Sequence, residues 1–275
     1  AKILESESLI KGKDQMNLIR ESEILHKLHH PAIVKYYGLN FHSFTDSSKF
    51  EPTILTEYLP NGSLKEILDK EKQSIANNDW TPTKKYICLL GIADAMRYLH
   101  EQQIIHRDIK PQNILIDSEF YPRVSDFGLS RCLPETYSKS MKATMTGNVG
   151  TTLYMAPELY EDEENIARYG PSVDVYAFAM LAYEIVTGLE PFSENGKPIN
   201  LLKLSRKLAS GSRPAFNEGV TAKMSDLISR CWNEDPNLRP TFKEIFDELS
   251  SDFSYFREDV DADEASNYLK YLNEQ

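Results

Sequence analysis

"IIHRDIKPQNILID", residues 104–117, sets one His, two Asp, one Arg, one Lys and one Asn between two apolar clusters. Taken alone, His106-Arg107-Asp108 is a three-residue coincidence that many chains would show; its weight comes from the residues placed after it at defined spacing. Asn113 stands five residues after Asp108, and Asp126, the first residue of "DFG", stands eighteen after it. Residues 126–158 carry Gly, Pro, Ser and Thr without sustained periodicity and close on "APE" at 156–158. That pattern predicts a long loop, and loops of such length are usually functional.

Outside this stretch the composition narrows the function classes. The chain has 275 residues, 41% of them hydrophobic, which suffices for one large domain or two unequal lobes. Acidic residues outnumber basic ones 42 to 31, and no Lys/Arg run interleaves with aromatics, so nucleic acid is not an expected partner. Cys88, Cys132 and Cys231 are far apart and odd in number, which argues against a disulfide framework and against a zinc site. No charged-then-apolar leader opens the sequence and no run approaches about 18 consecutive apolar residues, so a cytoplasmic address without a membrane span is expected. Asn61-Gly62-Ser63 fits a glycosylation sequon, but Ser63 with Glu66 also forms a capping box, and in a cytosolic chain the cap prevails.

Periodicity divides the chain in two. Residues 14–29 carry a helical apolar stripe that "HHP" terminates. Residues 32–41 and 53–59 are rich in β-branched and aromatic types and read as two strands joined by a polar turn. Beyond Pro60-Asn61-Gly62 the pattern becomes helical: residues 86–102 place Leu89, Ile92, Ala93, Met96 and Leu99 on one face of a long, half-buried helix. Residues 173–187 are nearly all apolar and predict a core helix, and Phe242, Ile245, Phe246 and Leu249 mark another stripe. Residues 251–275 read as an acidic tail ending in a solvated helix. No internal repeat or low-complexity tract occurs.

In this order "HRDIKPQN", "DFG" and "GTTLYMAPE" resemble the catalytic loop, the metal-binding turn and the end of the activation segment of the eukaryotic protein kinases, a resemblance running from residue 1 to about 250. It implies an α+β, bilobal protein kinase fold: a kinase domain at 1–250, with a small lobe of mixed sheet and one helix over 1–59, a mainly helical large lobe over 60–250, and a C-terminal tail over 251–275. Phosphoryl transfer asks for positioning and charge more than covalent help. Asp108 is thereby the carboxylate that accepts the incoming hydroxyl's proton, and Asn113 and Asp126 are the oxygen ligands for Mg²⁺. Lys110 offers a compact positive charge to the moving phosphoryl group. "AKIL" at 1–4 resembles the end of the V-A-I-K strand, which makes Lys2 the lysine that reaches the ATP phosphates. Glu21 is its implied partner, preferred over Glu23 because Ile24 and Leu25 follow it as buried residues follow the family's glutamate.

Thr56 in "ILTEY" is the implied gatekeeper, and Glu57 to Leu59 the hinge whose backbone pairs with adenine. "IKPQN" together with Thr151 in "GTT" resembles the serine/threonine pattern, and "ILTEYLPNGSL", "DVYAFAMLAYEIVTG" and "CWNEDPNLRPTF" resemble the tyrosine-kinase-like group of Ser/Thr kinases. The expected partners are therefore ATP and protein substrates with Ser/Thr acceptors. His106 and Asp174 are carried over as structural residues, Asp174 as the core-helix residue anchoring the catalytic loop. Glu158 and Arg239 are carried over as a buried ion pair whose breakage costs about 3–5 kcal/mol. Arg107, directly before Asp108, implies an activation segment ordered by a phosphate paired with arginine, with Ser138, Ser140, Thr144 and Thr146 as candidate acceptors. Thr151 is set apart, because the family uses that hydroxyl to contact the catalytic Asp.

One part of the pattern is missing from the sequence. The family covers the ATP phosphates with a G-x-G-x-x-G hairpin before V-A-I-K, and no such motif occurs here. Without it the Lys2 strand is expected to be a bare sheet edge. Three explanations compete: a piece of a longer kinase, a short kinase with weak nucleotide binding, and a pseudokinase-like scaffold or interaction module. The first is favoured, because a scaffold has no chemical reason to hold Asp108, Lys110, Asn113 and Asp126 together.

Overall fold

Leu18, Glu21, Ser22 and Leu25 recur at helical spacing and are all buried, which is what turns the first helix toward the interior. The computed structural model describes residues 2–3, 12–44, 46, 48–132, 152–161, 170–194, 199–256 and 260–274, with side chains from residue 17 onward except 160 and 161. The first part comprises β1 (Lys2–Ile3), α1 (Gly12–Lys27), β2 (Tyr36–His42) and β3 (Phe50–Thr56). The three strands form an antiparallel sheet in the order β1-β3-β2, with Lys2 opposite Ile54 and Leu39 also opposite Ile54 across the other edge.

The strand expected to begin at residue 32 begins at Tyr36 instead. Ala32, Ile33 and Val34 are buried elsewhere: the Val124 N–H donates to the Ala32 carbonyl at 2.8 Å and the Val34 N–H to the Val124 carbonyl at 3.0 Å. Their hydrogen bonds are spent on the segment leading into "DFG", so they cannot join the sheet. The second strand likewise ends at Thr56, and Glu57–Leu59 leave it as a connector.

After the connector come α2 (Leu64–Lys72) and α3 (Pro82–Glu101). The expected capping box is present: the Ser63 N–H donates to Glu66 Oε2 at 2.9 Å and the Glu66 N–H to Ser63 Oγ at 3.3 Å. α3 starts four residues earlier than expected, because Thr81 caps it and Pro82 takes its first position, where no N–H is needed. It is not half-buried. Every residue from Tyr86 to Met96 is buried, because partners pack on it from several sides.

Four short strands follow, β4 (Ile104–Ile105), β5 (Ile114–Ile116), β6 (Pro122–Val124) and β7 (Arg131–Cys132), paired β4 with β7 and β5 with β6. The remaining α-helices of the described residues are α4 (Glu158–Glu161), α5 (Ser172–Thr187), α6 (Leu201–Ala209), α7 (Ala222–Cys231), α8 (Phe242–Ser251) and α9 (Ala262–Glu274). α5 is buried from Val173 to Ile185, as its apolar run predicts, and Gly188 ends it at φ 70°, a left-handed turn that glycine adopts without strain. α3, α5 and α8 share one core, with the Phe178 and Phe242 rings edge to face at 5.5 Å.

The expectation of a solvated terminal helix is overturned. α9 docks on α3 and buries Ala265, Tyr268 and Leu272, while its exposed residues carry the acidic charge. The three thiols are free, with Cys88 and Cys231 buried. Among the described residues, no helix is long and apolar enough to cross a membrane.

Candidate active site

The chemistry-bearing residues sit on two loops held by the two small strand pairs. β4 and β7 clamp the outer ends, with Ile104 opposite Cys132 and Ile105 opposite Arg131. β5 and β6 clamp the inner ends, with Ile114 opposite Val124. The apolar flanks of "IIHRDIKPQNILID" are therefore anchors: Ile104, Ile105, Ile114 and Ile116 are buried, and the polar residues between them are held in the loop.

Asp174, fully buried on α5, fixes the start of this loop. Its Oδ2 accepts the His106 N–H at 2.9 Å and its Oδ1 the Arg107 N–H at 2.7 Å, and Oδ2 lies 2.9 Å from His100 Nε2. Burial would push this carboxyl up, but the His100 hydrogen bond and the Arg107 N–H help hold it below the ordinary carboxylate range. The two captured N–H groups help hold Arg107 at φ 69°, a left-handed conformation costly for a side chain of its size.

His106 is completely buried and joins the two loops. Its Nδ1 accepts the Asp108 N–H at 3.3 Å, so its Nε2 is the protonated nitrogen, donating to the Ser125 carbonyl at 3.0 Å. Ser125 in turn donates through both N–H and Oγ, each at 2.9 Å, to the Asn113 carbonyl. Phe127 packs edge to face on the His106 ring at 5.0 Å.

Around Asp108 the side chains converge. Lys110 Nζ donates to Oδ1 and Oδ2 at 2.9 and 2.7 Å, and Asn113 Nδ2 donates to the Asp108 carbonyl and to Oδ2 at 2.7 and 2.8 Å. With the Asn113 amide hydrogens so committed, its oxygen is the atom left for a cation. Asp126 sits at φ 61° directly after Ser125, and its Oδ1 accepts the Gly128 N–H at 3.3 Å. Among the described residues no group of three or more His, Cys, Asp and Glu side chains forms a self-contained metal cage. A carboxylate and an amide oxygen on neighbouring loops fit Mg²⁺, which keeps waters and completes its shell with phosphate oxygens.

Asp126 also borders a cleft of about 300 Å³ lined by Glu21, Leu25, Val34, Ile54, Thr56, Glu57, Tyr58, Leu59, Leu115 and Ser125. Glu21 is buried there, 4% exposed, whereas Glu23 on the same helix is exposed. Thr56, Glu57 and Leu59 line one side. The Glu57 N–H donates to the Lys35 carbonyl at 2.9 Å, and Glu57 Oε1 accepts the Lys35 N–H at 2.8 Å. The Lys2 backbone pairs with Ile54 in the wall of this cleft, while its side chain lies outside the described residues, as do Ser138, Ser140, Thr144, Thr146 and Thr151. A larger cavity, about 840 Å³, lies by Arg239, Glu158 and Pro236 and is lined by His100 but by none of Asp108, Lys110, Asn113 and Asp126.

Arg107 faces a second, small pocket with Arg20 and Arg131. Burial and then the neighbouring Arg131 charge lower the Arg107 guanidinium to about 10, against the raising effect of Asp174, so it stays cationic at neutral pH. Farther off, Arg239 NH1 and NH2 grip Glu158 Oε1 and Oε2 at 2.6 and 2.9 Å, with the Arg239 side chain fully buried. His100, Ser125, Lys35 and Leu115 are site residues that the sequence reading missed. None belongs to a spaced motif, and His100 meets Asp174 across 74 residues.

The sequence matches the protein kinase domain family over residues 1–249. It is 38% identical over 234 residues to serine/threonine-protein kinase VIK of Arabidopsis thaliana, covering 83% of this chain and 49% of that protein. It is 32% identical over 267 residues to receptor-interacting serine/threonine-protein kinase 2 of Bos taurus, covering 94% and 47%, and 35% identical over 237 residues to serine/threonine-protein kinase 12 of Arabidopsis thaliana, covering 84% and 46%. The chain thus spans about half the length of these relatives. Since the matched span takes in both loops, the Asp174 anchor and the cleft beside them, the chain belongs to the protein kinase family.

Proposed function

We propose that this chain is a Ser/Thr protein kinase domain of the tyrosine-kinase-like group, transferring the γ-phosphate of ATP to protein hydroxyls. The observation that carries the reading is the junction of Asp108, Lys110 and Asn113, through His106 and Ser125, with Asp126, which lines the cleft together with Ser125. Three relatives named as serine/threonine kinases and the "IKPQN" pattern support serine and threonine as acceptors. Residues 1–59 act as a small lobe whose sequence holds no glycine-rich loop, and residues 60–250 as the large lobe. Free cysteines agree with a cytoplasmic address.

In this reading the purine enters between Val34 and Leu115 and meets the backbone of Glu57–Leu59, with Thr56 behind it. Lys2, with Glu21 as its implied partner, is assigned to the phosphates. Mg²⁺, when bound by Asp126 and Asn113, supplies charge neutralisation at the phosphate oxygens. An Oδ of Asp108 accepts the proton of the attacking hydroxyl as its oxygen forms the new P–O bond and the ADP oxygen leaves. Lys110, hydrogen-bonded to that same carboxylate, is placed to balance the charge of the moving phosphoryl group. Arg107 with Arg20 and Arg131 supports the reading of an activation segment held by a phosphate.

The test is transfer of the terminal phosphate from Mg²⁺-ATP to a generic Ser/Thr protein substrate, comparing the chain with Asp108→Asn. Transfer that falls at least about 100-fold in the variant, with Mg²⁺-ATP binding retained, is the expected result. Equal transfer by both overturns the role of Asp108. Silence of both with binding intact would leave a piece that needs the glycine-rich strands or an interaction scaffold, and adding those strands separates the two.

A further inference from the structure

The family match ends at residue 249, yet the chain continues into α9, which packs on α3. Its first turn is tied to α3: the Asp261 N–H donates to Thr83 Oγ1 at 2.9 Å, and Lys84 pairs with Glu264 at 2.7 Å. Farther along, Tyr268 and Tyr271 stack at 5.9 Å, and Tyr121 lies 4.6 and 5.7 Å from them. From this cluster Tyr271 Oη accepts a hydrogen bond from Arg123 NH2 at 3.1 Å.

Arg123 is the second link. It lies on β6, three residues before Asp126, with its side chain only 10% exposed, and its position suits a bridge. NH2 also contacts Asp117 Oδ2 at 2.8 Å, and Nε lies 3.7 Å from Glu57 Oε1, a charge contact longer than a hydrogen bond. Glu57 is the first residue of the connector lining the cleft, and the same Oε1 holds the Lys35 N–H. Asp117 belongs to the same scaffold, since Asn61 Nδ2 donates to its carbonyl at 2.6 Å. A buried guanidinium facing two carboxylates and one phenol is oriented by all three, and loss of one changes its hold on the others.

We infer that α9 is a positioning element for the hinge: through Tyr271, Arg123 and Glu57 it holds segment 57–62 in place, so that nucleotide affinity depends on a helix outside the shared kinase domain. Arg123 and Tyr271 are positioning residues, acting through Glu57 rather than on a ligand. A hinge held in its binding geometry before the ligand arrives avoids the cost of ordering on binding. The effect on nucleotide rests on the cleft being an ATP site; the effect on the hinge does not.

The experiment uses the full chain and Tyr271→Phe, which removes the hydroxyl and keeps the ring. Hydrogen exchange across 57–62 is expected to rise about threefold or more, with α9 itself still protected. Arg123→Lys, which keeps the charge but cannot reach three partners at once, is expected to do the same. Glu248→Gln, which weakens the Arg230–Glu248 pair joining α7 and α8 and leaves α9 and its aromatic cluster untouched, should leave 57–62 unchanged. Unchanged hinge exchange in Tyr271→Phe overturns the inference, and so does an equal rise in Glu248→Gln, which would mean general loosening. Calorimetric titration with Mg²⁺-ATP should then give a Kd about three- to tenfold weaker in Tyr271→Phe. An unchanged or tighter Kd overturns the nucleotide half. Failure of the unsubstituted chain to bind Mg²⁺-ATP would overturn the proposed function, while hinge exchange would still decide the relay.

Discussion

Arg239 and Glu158 make the clearest case at the scale of single residues. The guanidinium is fully buried and bidentate on Glu158, and NH1 also donates to the Ser172 carbonyl at 3.0 Å. Removing one partner of such a pair leaves the other charge desolvated without compensation. Arg239→Met should therefore lower unfolding stability by about 3–5 kcal/mol in denaturant titration, and Glu158→Met added to it should recover a large part. A single variant within about 1 kcal/mol of the parent would mean that water already screens the pair. Both residues were singled out in the sequence through its resemblance to the family's motifs around "APE" and "NLRPTF", as were Asp108, Asn113 and Asp126 through theirs. His100 and Ser125 were not, since their partners are met only once α3, α5 and the two loops converge.

At the scale of elements, local signals located the helices but misjudged the burial of α3 and of the terminal helix α9. Capping boxes at Ser63/Glu66 and Thr241/Glu244 start α2 and α8 where short-range chemistry places them. Whether a stripe is one face of a half-buried helix or part of a surrounded one depends on what packs behind it, and for α3 one of those partners is α9. Gly91 marks that contact: a Cβ there would come within 2.1 Å of Tyr268 Oη and 2.6 Å of Pro122 Cγ. In an exposed helix Gly→Ala stabilises by about 0.5–1 kcal/mol. Here the sign should reverse, with Gly91→Ala losing roughly 1–3 kcal/mol and deprotecting α9 in hydrogen exchange. A stabilised Gly91→Ala would place α9 off α3.

For the whole molecule, the net charge of −11 makes acid the informative perturbation. Asp174 and Asp94 are both held below their ordinary 3.8. For Asp94, burial alone would raise the carboxyl, but hydrogen bonds from His30 and Arg97, reinforced by their charges, outweigh it. A carboxyl whose folded pKa lies below its unfolded value stabilises the fold fully above the unfolded value, and loses that contribution as pH falls through the folded one. Melting temperature should therefore fall steeply below about pH 4. Asp94→Asn should melt lower at neutral pH and show a shallower fall in acid; an identical acid slope would remove Asp94 as a source.

The sequence by itself determined the kinds of residue, the order of the motifs and the sites of helix initiation, because these depend on spacing and on contacts within a few residues. Tertiary structure decided what depends on distant neighbours. Residues 32–34 leave the sheet because Val124 takes their hydrogen bonds. The acidic tail becomes a docked helix because Gly91 admits Tyr268. Arg123 and Tyr271 lie 148 residues apart, and no periodicity encodes such a meeting. It arises when buried apolar surface brings α3, β6 and α9 together and leaves their polar groups to find partners.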